Sequence, residues 1–109
     1  MGNQPESKLS REIMSHIRAR GGMVWKNHGG PTMMAGLPDI TGVYRGRMIA
    51  IETKMPAGGD PSPIQRHVHT RIERAGGHVL VARSVADVSE WLDGMDVTPH
   101  TGGMPLRRS

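Results

Sequence analysis

The chain has 109 residues, enough for one compact domain with a modest core. It holds no cysteine, so disulfides, thiolate zinc sites and cysteine nucleophiles are excluded; a reducing compartment fits, and a cytoplasmic place in a bacterial or phage-infected cell is expected. Eleven Arg and three Lys against ten acids leave a net charge of +4, which points to a polyanionic partner, nucleic acid before membrane.

Residues 1–6 read as a loose start. Residues 7–20 follow as a helix, with Ser7 as N-cap, Leu9, Ile13 and Ile17 as its apolar stripe, and Gly21-Gly22 as its stop. Met23-Val24-Trp25 reads as a short strand. Residues 27–38 are rich in Gly, Pro and Met and read as a loop; its part from Pro31 to Leu37, with Met33 and Met34, reads as a mobile flap or a dimer contact. Residues 39–44 and 47–54 form two strands joined at Arg45-Gly46. After a second loop over 55–61, Ser62-Pro63-Ile64-Gln65 opens a helix. Ser stands at the N-cap, Pro in the first turn and Gln at the capping-box position. Ile64, Val68 and Ile72 carry this helix to about Ala75, where Gly76-Gly77 end it. His78 to Arg83 is an apolar strand, and Ser84 with Asp87 opens a last helix whose inner face is Val85, Val88, Trp91 and Leu92. Residues 94–109 read as a flexible tail behind a domain of residues 1–93. No apolar run approaches the roughly 18 residues of a membrane helix, and no secretory leader is expected. The strand–helix–strand unit over 47–83 predicts a parallel pair and the hairpin an antiparallel one. Together they give an α/β domain with a mixed sheet flanked by helices.

A two-residue turn at Arg45-Gly46 sets Tyr44 opposite Arg47 and therefore Asp39 opposite Glu52. Directly opposed side chains share a face, with Cβ atoms roughly 4.5–5.5 Å apart. Two carboxylates that close repel unless a cation lies between them, and Mg²⁺ commonly takes one or two carboxylates plus water and phosphate. Strand alternation puts Lys54 on the face of Glu52, where it can orient an attacking water or stabilise developing charge. Glu12, on the stripe of Leu9, Ile13 and His16, is expected to face inward or along the rim as a third acid. Gln65 stands on the side of Val68 and Ile72, within reach of a ligating carboxylate, although the capping box gives it a purely structural job as well.

These residues resemble a known pattern. The stretch GLPDITGVYRGRMIAIETK resembles the PD-(D/E)XK nuclease motif through Pro38-Asp39 and Glu52-Thr53-Lys54. The downstream stretch SPIQRHVHTRIERAGGHVLVARSVADV is similar to the VRR-NUC branch of that superfamily. It carries Gln65, the Gly76-Gly77 stop and the Val81-Ala82-Arg83-Ser84 strand end. The resemblance covers about residues 7–93. It implies a restriction-endonuclease-like fold (an αβββαβ core plus a C-terminal helix) and a bound Mg²⁺ or Mn²⁺. By the resemblance Asp39, Glu52, the Thr53 carbonyl and Glu12 hold the metal, Lys54 is catalytic and Gln65 assists. Small stand-alone members are similar to Holliday-junction resolvases and act as homodimers on branched DNA. The expected function is thus DNA endonucleolysis, with a non-catalytic nucleic-acid-binding module as the alternative; a restriction-type enzyme would need a recognition element for which the chain is short.

Lys26, His28 and Arg66 are candidate contacts to DNA, branched or duplex, while Arg71 and Arg74 form either a backbone grip or a solvated helix face. Among the six His, His67 and His69 lie two apart on a helix and share no face, and His16, His78 and His100 have no ligand-like spacing, so zinc is not expected. With Trp25, Tyr44 and Trp91 as the only aromatics, a stacking platform for single strands is not expected either.

Overall fold

The structure is a computed structural model describing residues 5–31 and 33–98. Its elements in chain order are α1 (Pro5–Ala19), β1 (Met23–Lys26), β2 (Ile40–Tyr44), β3 (Arg47–Thr53), α2 (Pro63–Arg74), β4 (His78–Ala82) and α3 (Val85–Val97). The mixed sheet runs β1-β2-β3-β4, with β1–β2 and β2–β3 antiparallel and β3–β4 parallel. The expected element order and fold class hold.

The hairpin sets the register. Arg45 and Gly46 both take positive φ (49° and 82°), the two-residue turn whose twist suits antiparallel strands. Ile40 pairs with Ile51 and Tyr44 with Arg47, so paired residue numbers add to 91 as expected. Ile40 and Tyr44 of β2, and Ile49 and Ile51 of β3, form a core with Ile13 and Ile17 of α1 and Val88 and Leu92 of α3. Thr53 shares this face of β3 by strand alternation. Gly42 is required between β1 and β2, since a Cβ there would stand 2.1 Å from the Met23 carbonyl oxygen.

The opposite face carries Met48, Ala50 and Glu52 of β3, and α2 lies over its β3–β4 half. Over β1 and β2 that face stays uncovered: Met23, Trp25 and Val43 are exposed, and Met48 beside them is exposed too. The loop after β1 returns over α2 at Gly36, whose φ is +85° and whose Cβ position lies 2.8 Å from the Ile64 carbonyl oxygen.

Boundaries differ from the sequence reading: β2 begins at Ile40 and not at Asp39, and β3 ends at Thr53 and not at Lys54. α1 begins at Pro5, so Ser7 lies inside the helix and is not its N-cap, and residues 5 and 6 are helical; Pro is well suited to a first helical turn. Residue 94 does not begin a tail, because α3 continues through Gly94 to Val97. Burial of Met95 and the ties of Asp96 to Arg20 and Tyr44 hold that last turn against the helix cost of one glycine. The rest of the expected tail, residues 99–109, lies outside the described residues.

Candidate active site at the end of β3

Glu52 and Thr53 end β3, where successive side chains point to opposite faces. Asp39 sits in the bend just before β2, across from them. Its Oδ2 accepts from the Thr53 backbone N–H at 2.9 Å and from the Thr53 hydroxyl at 2.6 Å. The carboxylate thereby takes the donor that β2 would otherwise pair. Behind it, Ser10 of α1, only 2% exposed, meets the Thr53 hydroxyl at 3.2 Å. Because the Thr53 proton goes to Asp39, Ser10 donates to Thr53 in this chain. Asn27 holds the bend from the other side: its N–H donates to the Asp39 carbonyl at 2.7 Å and its side-chain amide to the Pro38 carbonyl at 2.8 Å. Asp39 is half-buried. Its second oxygen makes no hydrogen bond, and the carboxylate no ion pair, among the described residues.

Glu52 is 3% exposed and faces α2. There the capping box resolves the two jobs offered to Gln65, which does both. Its Oε1 accepts from the Ser62 N–H at 2.8 Å, and its Nε2 donates to Glu52 Oε2 at 3.1 Å. The cap thus fixes the amide so that its donor end aims at the carboxylate. One turn on, His69 Nε2 stands 3.7 Å from Glu52 Oε1. Burial pushes the His69 imidazole below its ordinary pKa; the nearby Glu73 opposes this and the Lys54 ammonium adds to it. Lys54 follows β3 directly, its N–H donating to the Ala82 carbonyl at 3.0 Å, and its side chain is half-buried on the Glu52 side.

The structure therefore brings Asp39, Glu52, Thr53, Lys54 and Gln65 together at one end of the hairpin. It does not bring Glu12. Expected inward or along the rim, Glu12 is exposed, with no hydrogen bond or ion pair among the described residues. Counting about 100° per residue, it stands well away from the stripe of Ser10, Ile13 and Ile17 that meets the sheet. Lys26 ends β1 beside the Asp39 bend. His28 lines a pocket of about 290 Å³ that the loop from Asn27 to Asp39 encloses. Arg66 stands next to Gln65, exposed, with its guanidinium donating to the Pro61 carbonyl at 2.6 Å. Sequence reasoning missed Ser10, Asn27 and His69. It also missed Arg83, which gathers the loop after β3 through the carbonyls of Met55, Gly58 and Gly59. A buried Ser or His on an amphipathic helix has no local signal; only the packing of α1 and α2 on the sheet assigns them.

Donor chemistry suits a hard divalent cation, since the acids at this end of the hairpin, Asp39 and Glu52, offer carboxylate oxygens. Among the described residues no three His, Asp or Glu side chains gather as a ready cage. A cation that keeps water and binds phosphate through one or two carboxylates needs none. Asp39 and Glu52 would hold it, each already oriented by a neutral donor.

No family model matches the sequence, and no curated protein does. Solved structures do match. One described as "VRR_NUC domain" superposes with a TM-score of 0.71 at 25% identity, over 84% of this chain and 97% of its own. A second, "VRR_NUC domain protein", superposes with a TM-score of 0.68 at 14% identity, over 86% of this chain and 89% of its own. The resemblance read from the motif and the likeness read from the fold agree: over most of its length the chain has the fold of these VRR-NUC domain structures, and a nuclease-like domain is what that fold suggests.

Proposed function

We propose that the protein is a divalent-cation-dependent nuclease that hydrolyses DNA phosphodiester bonds. The observation that supports this most is that two acids, Asp39 held by Thr53 and Glu52 held by Gln65, stand at one end of a hairpin, with Lys54 following Glu52 in the chain. A bound Mg²⁺ or Mn²⁺ would polarise a phosphate oxygen and lower the pKa of a water. The chain's own residues do the rest. Thr53 and Ser10 fix the Asp39 rotamer, and Gln65 fixes that of Glu52. Lys54 supplies an ammonium where charge develops on the scissile phosphate. Lys26 and His28 beside Asp39, and Arg66 beside Gln65, offer positive charge and donors to the flanking backbone, which favours binding through phosphate contacts. Glu12 has no place in this arrangement.

Two finer readings go with the proposal. The preferred substrate is branched DNA, four-way junctions included, and the working unit is a homodimer. The uncovered apolar patch of Met23, Trp25, Val43 and Met48 favours a second copy, since contiguous exposed apolar surface marks interaction sites. A labelled panel of linear, flap and four-way DNA, incubated with and without Mg²⁺, tests the substrate. Cleavage of the branched forms only in Mg²⁺, lost in Glu52→Ala and Lys54→Ala, is expected. Tight binding with no product in Mg²⁺ or Mn²⁺ would instead make the chain a non-catalytic nucleic-acid-binding module. Sedimentation of the wild-type chain and Trp25→Arg tests the pair: twice the chain mass for the first and the chain mass for the second.

A further inference from the structure

We propose that His69 is a positioning residue for Glu52, closing a two-pronged clamp from α2 on the two oxygens of one carboxylate. The inference rests on the nuclease reading of Glu52 and deepens it. Gln65 and His69 are four residues apart on α2, the spacing that stacks side chains on one helix face. Gln65 Nε2 donates to Oε2 at 3.1 Å, and His69 Nε2 stands 3.7 Å from Oε1. The second distance is beyond a hydrogen bond, and His69 Nε2, fully buried, makes none with any described residue. His69 itself is 8% exposed.

Burying a polar nitrogen without a partner costs free energy, and the cost disappears if the ring and the carboxylate close by a few tenths of an ångström. A bare filler of this space would be an apolar side chain of similar volume. The imidazole differs from it in one respect: as the Nε2–H tautomer it offers a donor aimed at Oε1. Held at both oxygens, Glu52 keeps one rotamer, so a cation meets a preformed ligand. Groups that orient a ligating carboxylate typically change metal affinity about 10- to 100-fold when removed.

Mn²⁺ is the probe, titrated into the full chain and followed by the electron paramagnetic resonance of the free ion. Four variants are compared with wild type: His69→Leu, His69→Met, His69→Gln and Glu52→Gln, each checked for folding by circular dichroism and thermal melting. The two apolar variants are expected to weaken Mn²⁺ about 10-fold or more, and the His69→Gln variant, which restores a donor near the position of Nε2, to recover most of the affinity. Wild-type affinity in a folded apolar variant would overturn the clamp. So would a His69→Gln variant as weak as the apolar pair. A ¹⁴N coupling to bound Mn²⁺ in wild type that disappears in His69→Gln would also overturn it, by making His69 a direct ligand. Failure of the nuclease reading looks different: Mn²⁺ does not bind wild type, or binds Glu52→Gln equally well.

Discussion

The two ends of the β2–β3 hairpin both gather acids, and they treat them in opposite ways. At the turn end, Asp96 of α3 accepts from the Tyr44 hydroxyl at 2.7 Å and pairs with Arg45 at 2.7 Å and Arg20 at 2.8 Å, while Arg20 also pairs with Asp93 at 2.8 Å. The Tyr44 hydroxyl bond and the two guanidinium groups hold the Asp96 carboxyl below its ordinary pKa range. The Arg20 guanidinium is in turn held more firmly protonated, first of all by Asp93. Both acids there meet a fixed cation, and the cluster ties α3 to α1 and to the sheet. At the open end, Asp39 receives, among the described residues, only the N–H and hydroxyl of Thr53, and an amide aims Glu52. The first cluster ties the fold together; the second, on the proposed function, serves a ligand that arrives from outside.

The largest effect that would break this contrast is on cleavage. Glu52→Gln preserves shape and removes charge, and is expected to reduce Mg²⁺-dependent DNA cleavage to background. Lys54→Ala is expected to reduce it about 10²- to 10³-fold, the range seen when one transition-state donor is removed. Asp96→Asn should leave single-turnover cleavage unchanged well below its melting temperature. Equal loss of cleavage in Asp96→Asn would show that the two ends are not separate in role.

The next effect is on stability and belongs to the turn end. Tyr44→Phe removes a buried hydroxyl that donates to a charged acceptor, a loss of about 1–2 kcal/mol. Each kcal/mol lowers the melting temperature by about 4–8 °C in a domain of this size. The pH sense follows from Asp96. Its folded pKa is depressed, so its stabilisation is complete above the ordinary carboxylate pKa and is lost as pH falls through the lower, folded value. Melting temperature against pH should therefore fall in acid more steeply for wild type than for Asp96→Asn, converging at the acid end. Parallel curves would remove Asp96 from the account.

What was legible in the sequence divides along the same line. The hairpin register was readable because Arg45-Gly46 and the alternation of Ile49 and Ile51 are local signals, and register alone placed Asp39 against the end of β3. Gln65 was readable because a capping box is a four-residue pattern. The use of Asp39 Oδ2 by Thr53 was not, since it depends on β2 starting only at Ile40, short of the Pro38 that the register sets opposite Thr53, and leaving the Thr53 N–H to a side chain. Nor was His69, whose role is set by how α2 lies on the sheet. The α3 boundary failed for a related reason: Gly94 is a local stop signal, overruled by the long-range anchor of Asp96.

A smaller effect sharpens the open end. Ser62→Ala removes the N-cap acceptor of α2, a loss of about 1 kcal/mol. The Ser62 backbone N–H still binds Gln65 Oε1, so the amide keeps one anchor. Cleavage is expected to fall by less than the roughly tenfold of a lost outer-shell partner. Gln65→Leu, which loses both bonds, should fall further, and the reverse order would deny Gln65 its part in orienting Glu52.

The smallest effect tests an acid the fold sets aside. Glu12 is exposed on α1, without a hydrogen bond or ion pair among the described residues, and about 100° per residue puts it far from the stripe that carries Ser10. Glu12→Gln should change stability by no more than about 0.5 kcal/mol, as surface substitutions do. Mn²⁺ affinity and Mg²⁺-dependent cleavage should match wild type. Ser10→Ala is the matched control: its hydroxyl is buried against Thr53, so its loss should loosen Asp39 and weaken Mn²⁺ although it carries no charge. If instead Glu12→Gln lost Mn²⁺ and Ser10→Ala did not, charge on the first helix would outweigh the geometry of the strand ends, and the contrast between the two ends of the hairpin would not explain the site.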